Sequence, residues 1–179
     1  MADRLRMHSA PPRALLSVRL VAGSATHWIG EALGVHWQTG LRRRYRQGAI
    51  GWWSGAPDQW WIDAPADQGE ALARALEAAM PPGEAMVTEV SDAWVTFHLA
   101  GTTGALRDFF ERAGPVGAQV LNGDCLATRF GAFAVTLFEV EAGAADPPSP
   151  VRRIELRVER PLAKSFEQWL AGLGAVPGA

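Results

Sequence analysis

One order of structural signals runs through this chain twice. An apolar, β-branched run at residues 15–21 leads through Gly23-Ser24 into an amphipathic stretch. Short strand-like runs follow, and Ala64-Pro65 opens a second amphipathic stretch. From residue 94 the order starts again, with an apolar run at 94–99, Gly101-Thr102, an amphipathic stretch, more strand-like runs and a helix opened by Arg160-Pro161. Proline suits the first turn of a helix, where its missing N–H has no intrahelical partner, so both prolines mark helix starts. The repetition predicts an α+β fold of two β-α-β-β-β-α halves, with mainly antiparallel sheets and helices packed on one side. The expected division is a flexible arm over 1–13, a first half over 14–82 and a second half over 83–179. The two halves are expected to superpose as one pseudo-symmetric unit.

Within the first half, Ser24 is the expected N-cap. Trp28, Ile29, Ala32 and Leu33 fall at helical spacing, and Gly34 ends the helix. Residues 42–46, 50–53 and 59–62 read as strands, with Gly55 and Pro57-Asp58 turning the chain between the last two. Leu72, Ala75, Leu76, Ala79 and Met80 form the stripe of the next helix, and Pro81-Pro82-Gly83 marks the boundary. In the second half, residues 87–90 and 94–99 read as strands. Thr102 or Thr103 caps a helix with the stripe Leu106, Phe109, Phe110 and Ala113, broken by Gly114-Pro115. Residues 125–130 and 133–140 pair as a hairpin around Gly131, and 141–150 form a surface loop. Ile154, Leu156 and Val158 alternate with charged residues, the period of a half-buried strand. The last helix presents Leu162, Phe166, Trp169, Leu170 and Leu173 to a sheet.

Composition narrows the function classes. Hydrophobic residues make up 48% of 179 positions, enough to bury a real core. A formal charge of -2 argues against nucleic-acid or membrane-surface binding carried by bulk electrostatics. No apolar run approaches the roughly 20 residues of a membrane span, and the polar N-terminus has no signal-peptide core, so a cytoplasmic protein is expected. The single cysteine, Cys125, excludes an internal disulfide framework and a cysteine-based zinc site.

The side chains form no catalytic or metal-binding pattern. His8, His27, His36 and His98 lack further ligands at helical spacing. Cys125 reads as a buried thiol, and His98 as a strand residue facing solvent or a subunit. Glu139 with Glu141, and Glu155 with Glu159, share strand faces and read equally as carboxylate pairs or as solvated positions. The glycines at 30–34 and 101–104 lack the spacing of a nucleotide fingerprint, so no flavin is expected on this chain. The run 42–46, Arg-Arg-Arg-Tyr-Arg, is offset by Asp58, Asp63 and Asp67 and reads as a solvated or interface strand before an RNA-binding one. Eight tryptophans exceed what a domain of this size usually buries, and tryptophan is favoured at interfaces. Arg42, Arg44, Arg46, Trp52 and Trp60 are therefore the interface candidates.

Three segments resemble the gamma-subunit family of heterotetrameric sarcosine oxidases. Gly55-Ala56-Pro57-Asp58-Gln59-Trp60-Trp61-Ile62 is similar to that family's Gly-Pro-Asp-Glu-Trp-Leu-Leu block, with Ala56 inserted. Val90-Ser91-Asp92, the following strand and Leu99-Ala100-Gly101 resemble the start of its second half. Val158-Glu159-Arg160-Pro161-Leu162-Ala163 with Trp169-Leu170 resembles its last strand and helix, with Pro161 in place of Ser. The family's Gly-Cys-Pro-Leu-Asp-Leu block is replaced here by residues 113–117.

The resemblance implies a fold related to aminomethyltransferase folate-binding domains. It also implies residence beside alpha, beta and delta subunits in a complex that oxidatively demethylates sarcosine or a related N-methyl amine. FAD, FMN, NAD, zinc and tetrahydrofolate would then belong to the other subunits or their interfaces, and this chain would be a non-catalytic assembly subunit. Two alternatives stand beside it: a stand-alone folate-binding or aminomethyl-transfer protein, for which Asp92 and Asp124 are the candidate pterin-binding carboxylates, and an RNA-binding module resting on 42–46.

Overall fold

The computed structural model describes residues 5–140 and 151–178. The chain divides into two compact units: Pro12–Asp92, and Ala93–Ala179 joined by the N-terminal residues through Pro11. The chain opens with strand β1 (Arg6–Ser9), which belongs to the second of these.

The first unit runs β2 (Arg13–Leu20), α1 (His27–Leu33), β3 (Arg44–Gln47), β4 (Ile50–Ala56), β5 (Gln59–Pro65), α2 (Gly69–Ala79) and β6 (Ala85–Glu89). Its five strands lie in the order β3-β4-β5-β2-β6, and every pairing is antiparallel. Alternate residues of β2, namely Leu16, Val18 and Leu20, share a core with Ile62 of β5, Trp28, Ile29 and Leu33 of α1, and Leu76 of α2. The period of two on the strand and 3.6 on the helices brings these apolar faces together. Gly34 ends α1 in the left-handed region at φ 65°, and its N–H is donated back to the carbonyls of Gly30 and Glu31. Ser24 is not the cap of α1: the helix starts later, after Thr26, and the Ser24 hydroxyl donates to the Glu84 carbonyl at 3.3 Å.

The second unit runs β7 (Trp94–Thr102), α3 (Thr103–Ala113), α4 (Gly117–Leu121), β8 (Leu126–Phe130), β9 (Phe133–Glu139), β10 (Val151–Glu159), α5 (Ala163–Gly172) and β11 (Val176–Pro177). Its sheet order is β11-β1-β7-β10-β9-β8, antiparallel except where β11 joins β1. Phe97, Leu99, Leu156 and Leu137 from the sheet meet Leu106, Phe109 and Phe110 of α3 and Phe166 and Leu170 of α5. Thr102 caps α3, its Oγ1 accepting from the Ala105 N–H at 3.3 Å. The short α4 was not predicted from sequence. It forms because Gly117 lets its backbone close on Phe110, whose side chain fills the space a Cβ at 117 would occupy.

The two units repeat one plan. Strand, helix, three strands and helix appear in each, and the second helix follows a 3-10 turn, Ala66–Gln68 in one and Arg160–Leu162 in the other. The four strands β3-β4-β5-β2 correspond to β8-β9-β10-β7 in the same sheet order.

Two expected boundaries move. Residues 6–9, expected in the flexible arm, form β1, and Met7 within it and Leu5 just before it are 2% and 4% exposed because they enter the second unit's core. The boundary expected after residue 82 falls after Asp92, because β6 pairs with β2. The loop expected at 141–150 lies outside the described residues. Among the described residues no helix is long and apolar enough to cross a membrane.

Candidate functional site

The helix-free face of each sheet carries a cluster of charged and polar groups. In the first unit, Asp63 of β5 is fully buried and bridges two arginines. Arg13 Nε donates to Asp63 Oδ2 at 2.7 Å, and Arg44 Nη2 donates to Asp63 Oδ1 at 2.9 Å. A second Arg13 nitrogen reaches the Ala49 carbonyl at 2.7 Å. Register makes the triad possible: Leu15, Asp63, Gly51 and Arg46 lie in one row across β2, β5, β4 and β3, and Ser17, Trp61, Trp53 and Arg44 in the next. Trp53 and Trp61 stack on this face with centroids 6.4 Å apart, and Gln59 donates to the Ser17 hydroxyl at 3.2 Å.

In the second unit one row across four strands reads His8, His98, Glu155 and Phe138. Glu155 and Arg157 are 5% and 3% exposed. They sit two residues apart on β10, so they share a face, and Arg157 Nε donates to Glu155 Oε1 at 2.6 Å. The guanidinium also lies 5.6 Å from the centre of the Phe138 ring, within cation–π range. His98 Nε2 lies 3.5 Å from Glu155 Oε2, and His8 meets His98 edge-on at 5.2 Å. Burial lowers the His8 pKa, and His98 and Arg153 lower it further. On the opposite, helix-bearing face Arg152 forms a two-nitrogen pair with Glu139 and donates to the Leu121 carbonyl at the end of α4, and the Glu139 hydrogen bond raises its pKa. Counted back from the 3-10 turn, Asp63 and Arg157 occupy corresponding positions on β5 and β10.

In each unit a buried carboxylate is paired with an arginine of the same sheet. Among the described residues no group of three or more His, Cys, Asp or Glu is placed to hold a metal ion. An open depression of about 530 Å³ runs along α1 and the loop after it, where His27, Glu31, His36 and Trp37 line it. Asp92 sits exposed on the 3-10 turn Ser91–Ala93, and Asp124 is half-buried in the turn before β8. Neither lines that depression.

The predicted interface residues separate into two groups. Trp52 and Trp60 are 1% and 4% exposed and cannot anchor a partner. They belong to the helix-side core, where Trp37 stacks on Trp52 at 5.4 Å and meets Trp60 at 5.0 Å, and Trp52 Nε1 donates to the Gln38 carbonyl at 3.0 Å. None of the eight tryptophans is exposed: Trp28, Trp52, Trp53 and Trp60 are buried and the other four half-buried. The unit buries more indole than composition suggests because the loop after α1 folds Trp37 onto the sheet, close against Gly30. Arg44 is also turned to an internal role by Asp63. Arg42 and Arg46 remain exposed, Arg42 with φ 60° and Arg46 donating only to the nearby Gly48 carbonyl among its described hydrogen bonds.

Of the two readings of Glu155, the solvated one fails, because Arg157 and His98 enclose its carboxylate. The Asp63 triad was missed by sequence reading. Its one signal is an acid that directly follows the apolar run 60–62.

No protein-family model matches this chain, and no curated protein matches it by sequence. Solved structures match by fold. Heterotetrameric sarcosine oxidase from Corynebacterium sp. U-96, in complex with pyrrole 2-carboxylate, superposes with a TM-score of 0.74 at 16% identity, over 98% of this chain and 88% of that one. Aminomethyltransferase T of the glycine cleavage system from Bartonella henselae gives 0.62 at 16% identity, over 94% of this chain and 46% of that one. The regulatory subunit of aspartate kinase from Thermus thermophilus gives 0.51 at 11% identity, over 93% and 96%. At these identities the likeness is one of fold: an α+β, largely antiparallel architecture shared with aminomethyltransferase and sarcosine oxidase chains.

Proposed function

We propose that this chain is the gamma-type, non-catalytic subunit of a cytoplasmic heterotetrameric complex similar to sarcosine oxidase, which oxidatively demethylates sarcosine or a related N-methyl amine. One observation carries the reading. The chain spans 88% of the matched sarcosine oxidase chain but only 46% of the aminomethyltransferase. It also superposes on the former with the higher TM-score, 0.74 against 0.62. The ion pairs are spent on holding strands together, and the resemblance of residues 55–62, 90–101 and 158–170 points the same way.

On this reading, alpha, beta and delta subunits are the partners, and FAD, FMN, NAD, zinc and tetrahydrofolate are held by them. The chain's contribution is assembly, through Arg42, Arg46 and the exposed surface near them. The test is co-expression with oxidase subunits followed by size-exclusion chromatography. Co-elution is expected, with no flavin on the isolated chain. The double change Arg42→Glu and Arg46→Glu should release the chain while its circular dichroism stays unchanged. A folded chain that elutes alone while its partners assemble without it overturns the proposal.

A further inference from the structure

The two sheets differ at one edge. In the second unit, β1 lies antiparallel beside the central strand β7, and β11 adds outside it. In the first unit, β6 takes the position of β1, antiparallel beside β2, and the sheet stops there. No described strand takes, in the first unit, the place that β11 fills in the second.

The open edge is ready to pair. The N–H of Val21 is donated to Glu84 O, and the N–H of Val90 to Leu15 O, at 2.7 and 2.8 Å. In an antiparallel ladder the hydrogen-bonded residues alternate. Glu84, Met86, Thr88 and Val90 therefore face β2 with their backbone groups, and those of Ala85, Val87 and Glu89 point outward. No described residue pairs with them along this edge. The strand Ala-Met-Val-Thr-Glu contains no lysine, proline or bulge, the usual means of blunting an edge. Met86 is 57% exposed, and Val21, diagonal to it on the same face, is also 57% exposed.

We propose that β6 is a strand-addition site for an extended segment of a partner polypeptide, with apolar residues at alternate positions and basic residues at its ends. Backbone hydrogen bonds from the partner would continue the sheet, and its apolar side chains would cover Met86 and Val21. Charge selects the ends: Glu84 and Glu89 flank the strand. The same charges disfavour a second copy of this chain, since antiparallel self-pairing of β6 brings carboxylates from both copies to each end. The inference rests on the edge itself and holds whether or not the partner is an oxidase subunit.

The experiment uses the full chain and a labelled synthetic peptide, acetyl-Arg-Val-Thr-Val-Thr-Val-Arg-amide. Hydrogen exchange should slow at the amides of Ala85, Val87 and Glu89 on adding the peptide, and not along the edge strands β3 and β8. Ala85→Pro removes one outward amide and leaves the inward ladder intact; Met86→Lys leaves the backbone whole and adds repulsive charge. Each should weaken peptide binding about tenfold or more, with circular dichroism confirming the fold. Three results overturn the proposal: no protection at saturating peptide, equal protection at β3 or β8, or unchanged binding by a folded Met86→Lys variant. Concentration-dependent protection of β6 without peptide, with dimers in sedimentation, would assign the edge to a second copy and overturn it too.

Discussion

Gly51 and Asp63 stand opposite each other on β4 and β5, and the Asp63 carboxylate with the Arg44 guanidinium fills the space a side chain at position 51 would need. The glycine is therefore part of the ion triad. Gly51→Ala should destabilise the chain by about 1–3 kcal/mol through overpacking. Asp63→Asn should cost about 3 kcal/mol or more, because it leaves two arginines facing a neutral group in a buried position. Arg13→Ala should cost less, since that side chain is 34% exposed and solvent screens it. Urea midpoints of the three variants check the order.

Trp60 separates a core role from a binding role. Trp60→Ala should lower stability by about 3–5 kcal/mol, the range for emptying a large aromatic site. Trp60→Phe should be milder, because the indole N–H has no hydrogen-bond partner among the described residues to lose. Chemical denaturation measures both. A folded, fully stable Trp60→Ala variant would contradict the core assignment.

Helix α3 depends on a local bond. Thr102→Ala removes the acceptor for the Ala105 N–H and should cost about 1 kcal/mol, with Thr102→Ser restoring most of it. Thermal unfolding of the pair decides this.

Acid should weaken the second unit through His8. Its folded-state pKa lies below the ordinary histidine value, through burial first and then His98 and Arg153. The unfolded chain therefore binds more protons in this range. The contribution is full above about pH 6.5, starts to fall there, and is lost as pH drops through the folded-state value. His8→Gln should flatten this part of the stability profile. An NMR titration of His8 giving an ordinary or raised value would rule the mechanism out.

The repeated order was legible because its signals are short-range. Gly34 and Thr102 act within one turn of their helices, and Leu16, Val18 and Leu20 declare their face by a period of two. Arg160-Pro161 marks a helix start by the same local geometry. The displaced boundary shows the limit. Nothing local tells Met7 that its strand will lie against Leu99, or β6 that its partner is β2. Period and turn chemistry are properties of neighbouring residues, so the sequence by itself determined the α+β class, the end of α1 at Gly34, the start of α3 at Thr102 and the two-fold plan. Tertiary structure alone decided that Asp63 joins Arg13 and Arg44, that His8 meets His98, and that Trp52 and Trp60 turn inward. Those outcomes depend on strand register across up to 90 residues, and a shift of one residue would send each side chain to the opposite face.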